Sequence, residues 1–207
     1  MQIGLPIGFN FLVDVTSFTF MALFIARLGT ASSGGHQIAA NLTSLIYMMP
    51  LAMASASGVL TGQAIGAGDP RRARHTGLVG IGIGLACACV VGLSVWFARD
   101  LIAGLYTRDE EVRAVATTLL AYVASYHLFD AVSAIAVSVL RGYKKTVVPM
   151  LCNIVALWGL GLGGGYALAF APSMHLGAAG FWIAATAGVL IGAILIVSYF
   201  LKVSRPA

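Results

Sequence analysis

Two carboxylates sit where a carboxylate is costly to keep. Asp14 is the only charged side chain before Arg27, and Asp130 the only one between Arg113 and Arg141. An ionisable group at mid-bilayer costs about 2.5–3.5 kcal/mol on insertion scales. Such a residue usually faces a bundle interior or a wet cavity and serves transport or proton relay. A carboxyl group held there can exchange a proton, or bind Na⁺ when ionised. Asp130 has helpers, since Tyr126 stands four residues before it and His127 three. That spacing brings all three near one helical face. Tyr126 can donate a hydrogen bond to the carboxylate or place its oxygen on a cation, and His127 can shuttle protons. A structural polar cluster is the competing reading. For His127 alone it is the preferred one, because a small rotation aims the ring elsewhere.

Further polar groups lie in the same apolar stretches. Asn10 is one turn before Asp14, Asn41 and Thr43 fall in the second stretch, and Asn153 in the fifth. Each can make an interhelical hydrogen bond worth roughly 0.6–2 kcal/mol. The sharper alternative has Asn10, His127 and Asn153 lining a polar cavity.

Other candidate chemistry is weak. Cys87 and Cys89 are two apart, so on a helix they point to nearly opposite faces and cannot share one ion. With Cys152 they read as small packing residues. His36 and His175 are expected together at an external interface, without zinc-site spacing. Two intramembrane acids raise an aspartyl protease, but neither has the Gly-x-Gly-Asp setting; the contexts are Phe11-Leu12-Val13-Asp14 and His127-Leu128-Phe129-Asp130. A nucleotide loop, a Gly-x-Ser-x-Gly elbow and a His-Glu-x-x-His pair are also missing from the sequence. The expectation is a protein that is not an enzyme, with no cofactor beyond a coupling Na⁺ or H⁺ and no metal beyond a Na⁺ at Asp14, Tyr126 and Asp130.

Positioning these groups falls to helices in a membrane. Of 207 residues, 59% are hydrophobic and 9% charged, against about 25% charged in a soluble domain. Mean hydropathy is +0.94. Residues 28–68, 75–98 and 146–201 carry no Asp, Glu, Lys or Arg. A span needs about 20 apolar residues. The alternating ten-residue pattern of a transmembrane barrel is not seen. The sequence therefore predicts an all-α polytopic bundle, one six-helix lobe over residues 1–207, with spans at about 5–27, 36–66, 70–97, 110–141, 147–170 and 176–202. Asp69 caps the third helix with Pro70 in its first turn. Pro50 predicts a kink in the second helix. Gly161, Gly163, Gly164 and Gly165 predict close packing or a bend, and Ala171-Pro172-Ser173 a break. Gly80/Gly84 and Gly188/Gly192 predict close helix contacts.

Orientation follows from the Lys/Arg bias. Arg71, Arg72, Arg74, Arg141, Lys144, Lys145, Lys202 and Arg205 fall at one end. Arg27, Arg99, Arg108 and Arg113 fall at the other, offset by Asp100, Asp109, Glu110 and Glu111. Both termini are expected in the cytoplasm, and the net charge of +5 is read as a topology signal. Nucleic acid is not an expected partner, because no basic face with interleaved aromatics is present.

These stretches also resemble a known family. Gly4-Leu5-Pro6-Ile7-Gly8, Asp14-Val15-Thr16, Arg27-Leu28-Gly29, His36-Gln37-Ile38-Ala39-Ala40-Asn41, Pro50, Gly62-Gln63-Ala64-Ile65-Gly66-Ala67-Gly68, Phe129-Asp130, Leu140-Arg141-Gly142 and Pro149 together resemble the C-terminal six-helix lobe of the multidrug and toxic compound extrusion (MATE) transporters. The resemblance covers nearly the whole chain. It implies a cation-coupled (Na⁺ or H⁺) antiporter that exports drugs and amphipathic organic cations by alternating access, in a bacterial-type inner membrane. It implies twelve helices in two lobes around a central cavity, and therefore a second six-helix lobe, from a missing N-terminal half or another copy, as partner alongside membrane lipid and a small-molecule drug. Asp14, Tyr126 and Asp130 match the family's C-lobe cation site. The sequence departs from the family at Tyr143-Lys144-Lys145-Thr146, a stretch expected in a cytoplasmic loop. Two other readings stand beside this one. One is a lipid-linked oligosaccharide flippase of the same superfamily, which would want basic residues in the cavity where the spans offer no buried Lys or Arg. The other is a non-transporting half-transporter.

Overall fold

The computed structural model describes residues 4–171 and 176–205. Six helices follow one another: α1 (Gly4–Ala26), α2 (Thr30–Gly66), α3 (Pro70–Tyr106), α4 (Glu110–Gly142), α5 (Val147–Phe170) and α6 (Gly177–Val203). All six are long and apolar enough to cross a membrane. The two of 37 residues, α2 and α3, run about 55 Å at 1.5 Å per residue, well beyond a hydrocarbon core of about 30 Å.

The ends form for local reasons. The Asp69 carboxylate accepts from the Arg72 amide at 2.8 Å, capping α3 with Pro70 behind it. Asp109 does the same for α4, accepting from the amides of Glu111 and Val112, and Glu110 and Glu111 face the positive end of the helix dipole. Gly68 turns the chain between α2 and α3 with φ at +73°, a conformation that side chains resist.

Two boundaries differ from the sequence expectation. Helix α2 begins at Thr30 rather than residue 36, because Gly34 and Gly35 do not break it. They lie against Val112 and Val115 of α4, where a Cβ on Gly35 would fall 2.8 Å from the Cβ of Val115. Helix α3 continues past residue 97 to Tyr106, where Thr107 and the Asp109 cap of the next helix end it. Its extra turns carry Arg99, stacked 4.7 Å from the Trp96 ring, and Tyr106, whose hydroxyl donates to the Asn41 side-chain oxygen at 2.8 Å. The expected break at Pro172 and Ser173 lies outside the described residues.

Helix α4 is the hub. It packs on α2, α3 and α6, and 67% of its most apolar stretch is buried, against 28% for α1. Small residues make the approach possible. A Cβ at Gly92 of α3 would fall 2.9 Å from the Ala124 carbonyl of α4, and one at Gly142 would fall 3.0 Å from the Gly58 carbonyl of α2. Gly80 and Gly84 meet Ile135, and Gly188 and Gly192 meet Ala156, the close contacts that their spacing predicts. One core gathers around Trp182, Phe181, Tyr126, Leu120 and Ile25, and a second around Ile135, Leu140, Ile196 and Phe200. Large apolar side chains such as Phe97, Leu105, Val90 and Leu5 stay exposed, as lipid-facing positions do.

Helix α5 is not a regular α-helix. Residues Ile154–Gly164 are wound as a π-helix, a form normally seen as a single-turn bulge and often at functional sites. Its glycines serve packing as well: a Cβ on Gly165 would fall 2.6 Å from the Phe181 ring, and one on Gly161 would meet Ala185 at 3.5 Å.

Candidate cation site and cavity

Helix α1 is held to α5, at its π-helical part and the residue before it, by polar ties spaced along one face. The Asn153 side-chain amide donates to the Asn10 side-chain oxygen at 3.0 Å. The Trp158 indole donates to the Val13 carbonyl at 3.3 Å. The Ser17 hydroxyl donates to the Leu157 carbonyl at 3.4 Å. Residues 10, 13 and 17 share one side of a helix, so docking that side on α5 swings Asp14 toward the space between α1, α2 and α4.

That space is a cavity of about 400 Å³. Asn10, Asp14, Tyr126, Asp130 and Asn153 all line it, so five of the six residues singled out by sequence converge from three helices. Thr43, Ser44, Ser133 and Ser138 add hydroxyls, while Phe11, Phe18, Leu51 and Leu157 add apolar wall. Tyr126 is set by packing: its ring meets Trp182 edge-on at 5.9 Å and Phe18 at 6.2 Å. Asp14 and Asp130 line the same cavity from different helices.

His127 is the exception. It is 1% exposed, its Nε2 has no hydrogen-bond partner, and it is not among the lining residues. One residue on from Tyr126 is about 100° around the helix. This puts His127 on the face shared with Ala124 and Leu128, which packs on Gly92 of α3. His36, near the start of α2, is buried in the bundle 6.0 Å from the Trp182 ring. His175 lies outside the described residues. Among the expected interhelical bonds, Asn41 pairs with Tyr106 and Asn10 with Asn153, whereas the Thr43 hydroxyl donates back to Ala39 of its own helix.

Two lining residues escaped the sequence reading. Tyr47 of α2 lines the cavity together with both acids; a tyrosine in an apolar run gives no signal of its own. Arg141 was expected at the end of the fourth span, on the basic side. From the last turn of α4 it also lines the cavity and sets its guanidinium 5.9 Å from the Phe11 ring centroid.

With these positions fixed, likeness to known proteins becomes informative. The MatE family model matches residues 6–167. A probable multidrug resistance protein NorM of Aromatoleum aromaticum is 43% identical over 198 residues, 94% of this chain and 43% of its own length. The multidrug resistance protein MdtK of Pectobacterium atrosepticum is 38% identical over 198 residues, covering 95% of this chain and 43% of its own. The chain thus spans less than half the length of the curated relatives it matches. Among solved structures, the eukaryotic MATE transporter AtDTX14 superposes with a TM-score of 0.89 at 23% identity, over 99% of this chain and 47% of that one. The Vibrio cholerae MATE transporter VcmN in the bent form superposes at 0.84 with 19% identity, over 99% and 46%. These likenesses show a shared fold. Six apolar helices in that fold make this an integral membrane protein, and the extent of the family match places the chain in the MATE (MatE) family.

Proposed function

We propose that this chain forms the C-terminal half of a cation-coupled exporter of drugs and amphipathic organic cations. Asp14, Tyr126 and Asp130 take the coupling ion, with Asn10 and Asn153 completing the cavity wall. The observation that carries this reading is the convergence of two carboxylates from different helices, α1 and α4, on one cavity. A hard cation favours oxygen ligands, and carboxylate, phenol and amide oxygens are all present there. A proton would use the same carboxylates. Aromatic and aliphatic wall beside negative charge suits a cargo with an apolar body and a positive centre.

The two acids differ in setting. Asp130 belongs to the buried hub and Asp14 to a helix held by a few polar ties. An ion shared between them binds better when α1 lies close to α4. It can shift the balance of inward- and outward-open states only by that difference in affinity. A second reading, export of a lipid-linked oligosaccharide, gains one observation: Arg141 lines the cavity, contrary to the expectation of no basic residue there. Two acids against one arginine still leave the lining negative, which favours a cationic cargo.

The whole exporter would comprise this lobe and a second one, in an inner membrane with both ends of this lobe in the cytoplasm. The test is efflux of ethidium from vesicles holding the assembled transporter, under separate Na⁺ and pH gradients. Asp130→Asn and Asp14→Asn should each abolish gradient-driven efflux while the protein remains folded. Unchanged efflux in a folded Asp130→Asn variant rejects the coupling role.

A further inference from the structure

We propose that Trp182, backed by His36, is a positioning residue that aims the Tyr126 hydroxyl into the cation cavity. The idea deepens the reading of Tyr126 as an ion ligand and rests on it.

The place of a tyrosine hydroxyl is decided by what walls its ring. Tyr126 is buried and has two such walls: Phe18 of α1 meets it edge-on at 6.2 Å and Trp182 of α6 at 5.9 Å. The walls are unequal. Phe18 rides on α1, the helix held to α5 by a few polar ties. Trp182 is fully buried on a helix that packs on α4, the helix of Tyr126 itself. Behind Trp182 stands His36 of α2, its ring 6.0 Å away and tilted by 55°. Tight backbone approaches pin the chain that carries each ring. A Cβ at Gly35 would fall 3.0 Å from the Ala116 amide nitrogen of α4, and one at Gly180 would fall 3.0 Å from the Ala169 amide nitrogen of α5. His36 and Trp182 follow these glycines by one and two residues.

Packing alone does not account for this choice of residues. The Trp182 indole nitrogen and the His36 Nδ1 are buried with no hydrogen-bond partner among the described residues. A buried polar atom left unpaired costs stability, and apolar side chains of the same shape would fill the space without that cost. Groups kept at such a cost call for another explanation. What a large, flat indole supplies is a stiff wall with few rotations of its own. It holds the phenol ring at one angle while α1 and Phe18 move. The hydroxyl is then in place before the ion arrives, so little ordering remains to be done on binding.

The test reads ethidium efflux from vesicles holding the assembled transporter, driven by Na⁺ or by H⁺. The half-saturating ion concentration and the maximal rate are taken separately. Trp182→Phe should raise half-saturation about fivefold, a partial loss of one hydrogen bond to a charged group. The maximal rate should stay within about twofold, because binding is lost rather than turnover. In a Tyr126→Phe background the same change should add less than about twofold, since no hydroxyl remains to aim. His36→Phe keeps a flat ring without the orphaned nitrogen; it should hold half-saturation within about twofold and leave the thermal unfolding midpoint no lower. An unchanged half-saturation in folded Trp182→Phe, or an equal rise in the Tyr126→Phe background, overturns the proposal. Should Trp182→Phe not assemble, His36→Ala removes the backing ring and should raise half-saturation about threefold, only where the Tyr126 hydroxyl is present; no rise counts against the idea. An unchanged half-saturation in Tyr126→Phe alone rejects Tyr126 as an ion ligand, and the positioning role with it. An effect of Tyr126→Phe without one of Trp182→Phe removes only the positioning role.

Discussion

The bond between Asn10 and Asn153 is the smallest unit on which the cavity depends. It spans 3.0 Å between α1 and α5, and Asn10 is 7% exposed, so loss of either partner strands the other in apolar surroundings. Asn153→Ala should cost roughly 0.6–2 kcal/mol, visible as a lower thermal unfolding midpoint in detergent. The Asn10→Ala, Asn153→Ala double variant should cost less than the sum of the singles, since the two groups share one bond. Tyr126 separates packing from ligation. Tyr126→Phe keeps the ring against Trp182 and Phe18, so stability should hold within about 0.5 kcal/mol. If the hydroxyl meets the ion, its loss should raise the half-saturating coupling-ion concentration for efflux about tenfold, the worth of one hydrogen bond to a charged group. Asp14 and Asp130 were legible in sequence because a lone charge in an apolar run has few structural explanations. Arg141 was hidden by the opposite logic. A charge at the end of a span reads as an anchor at the membrane surface, and only the structure shows that it lines the cavity.

Helices report differently on their own legibility. Six spans could be placed because charge-free stretches of bilayer length have few other uses, and the Asp69 cap fixed the start of α3. Helix α2 starts six residues before the expected position, and Gly34 and Gly35 in that added stretch admit α4 at close range. The π-helical winding of α5 had no sequence mark beyond its glycines, and the contacts that α1 and α6 make with residues 154–164 join segments far apart in the chain. Packing by absent side chains makes a paired test possible within α3. Gly92 faces the Ala124 carbonyl at 2.9 Å from where a Cβ would sit, while Gly82 has nothing within 4 Å. Gly92→Ala should therefore destabilise by about 1–3 kcal/mol through overpacking. Gly82→Ala should be neutral or stabilising by up to about 1 kcal/mol, the helix-propensity gain. Thermal unfolding of the two variants side by side distinguishes close contact from a general intolerance of the helix.

At the scale of the whole molecule, the exporter reading requires a second lobe, because the relatives and structures that this chain matches are about twice its length. Orientation in the membrane is the part of that reading open to the most direct measurement. The ends of α2, α4 and α6 carry the basic surplus, and six spans return the chain to the side from which it started. Removing Arg141 from the tally, since it faces the cavity, leaves Arg71, Arg72, Arg74, Lys144, Lys145, Lys202 and Arg205 against Arg27, Arg99, Arg108 and Arg113. The opposite end also carries Asp100, Asp109, Glu110 and Glu111, which contribute little to orientation. The sign of the bias is therefore unchanged when Arg141 is left out. With Cys87, Cys89 and Cys152 replaced by alanine, a single cysteine at Lys145 should react with a membrane-impermeant maleimide only in inverted vesicles. One at Arg108 should react only in intact cells. Both positions flank described helix ends, Lys145 being exposed after α4 and Arg108 preceding the Asp109 cap of that helix. Reaction of both from the same side would break the six-span arrangement in the membrane. A swapped pattern would invert the lobe and place Arg141 at the outer mouth of the cavity.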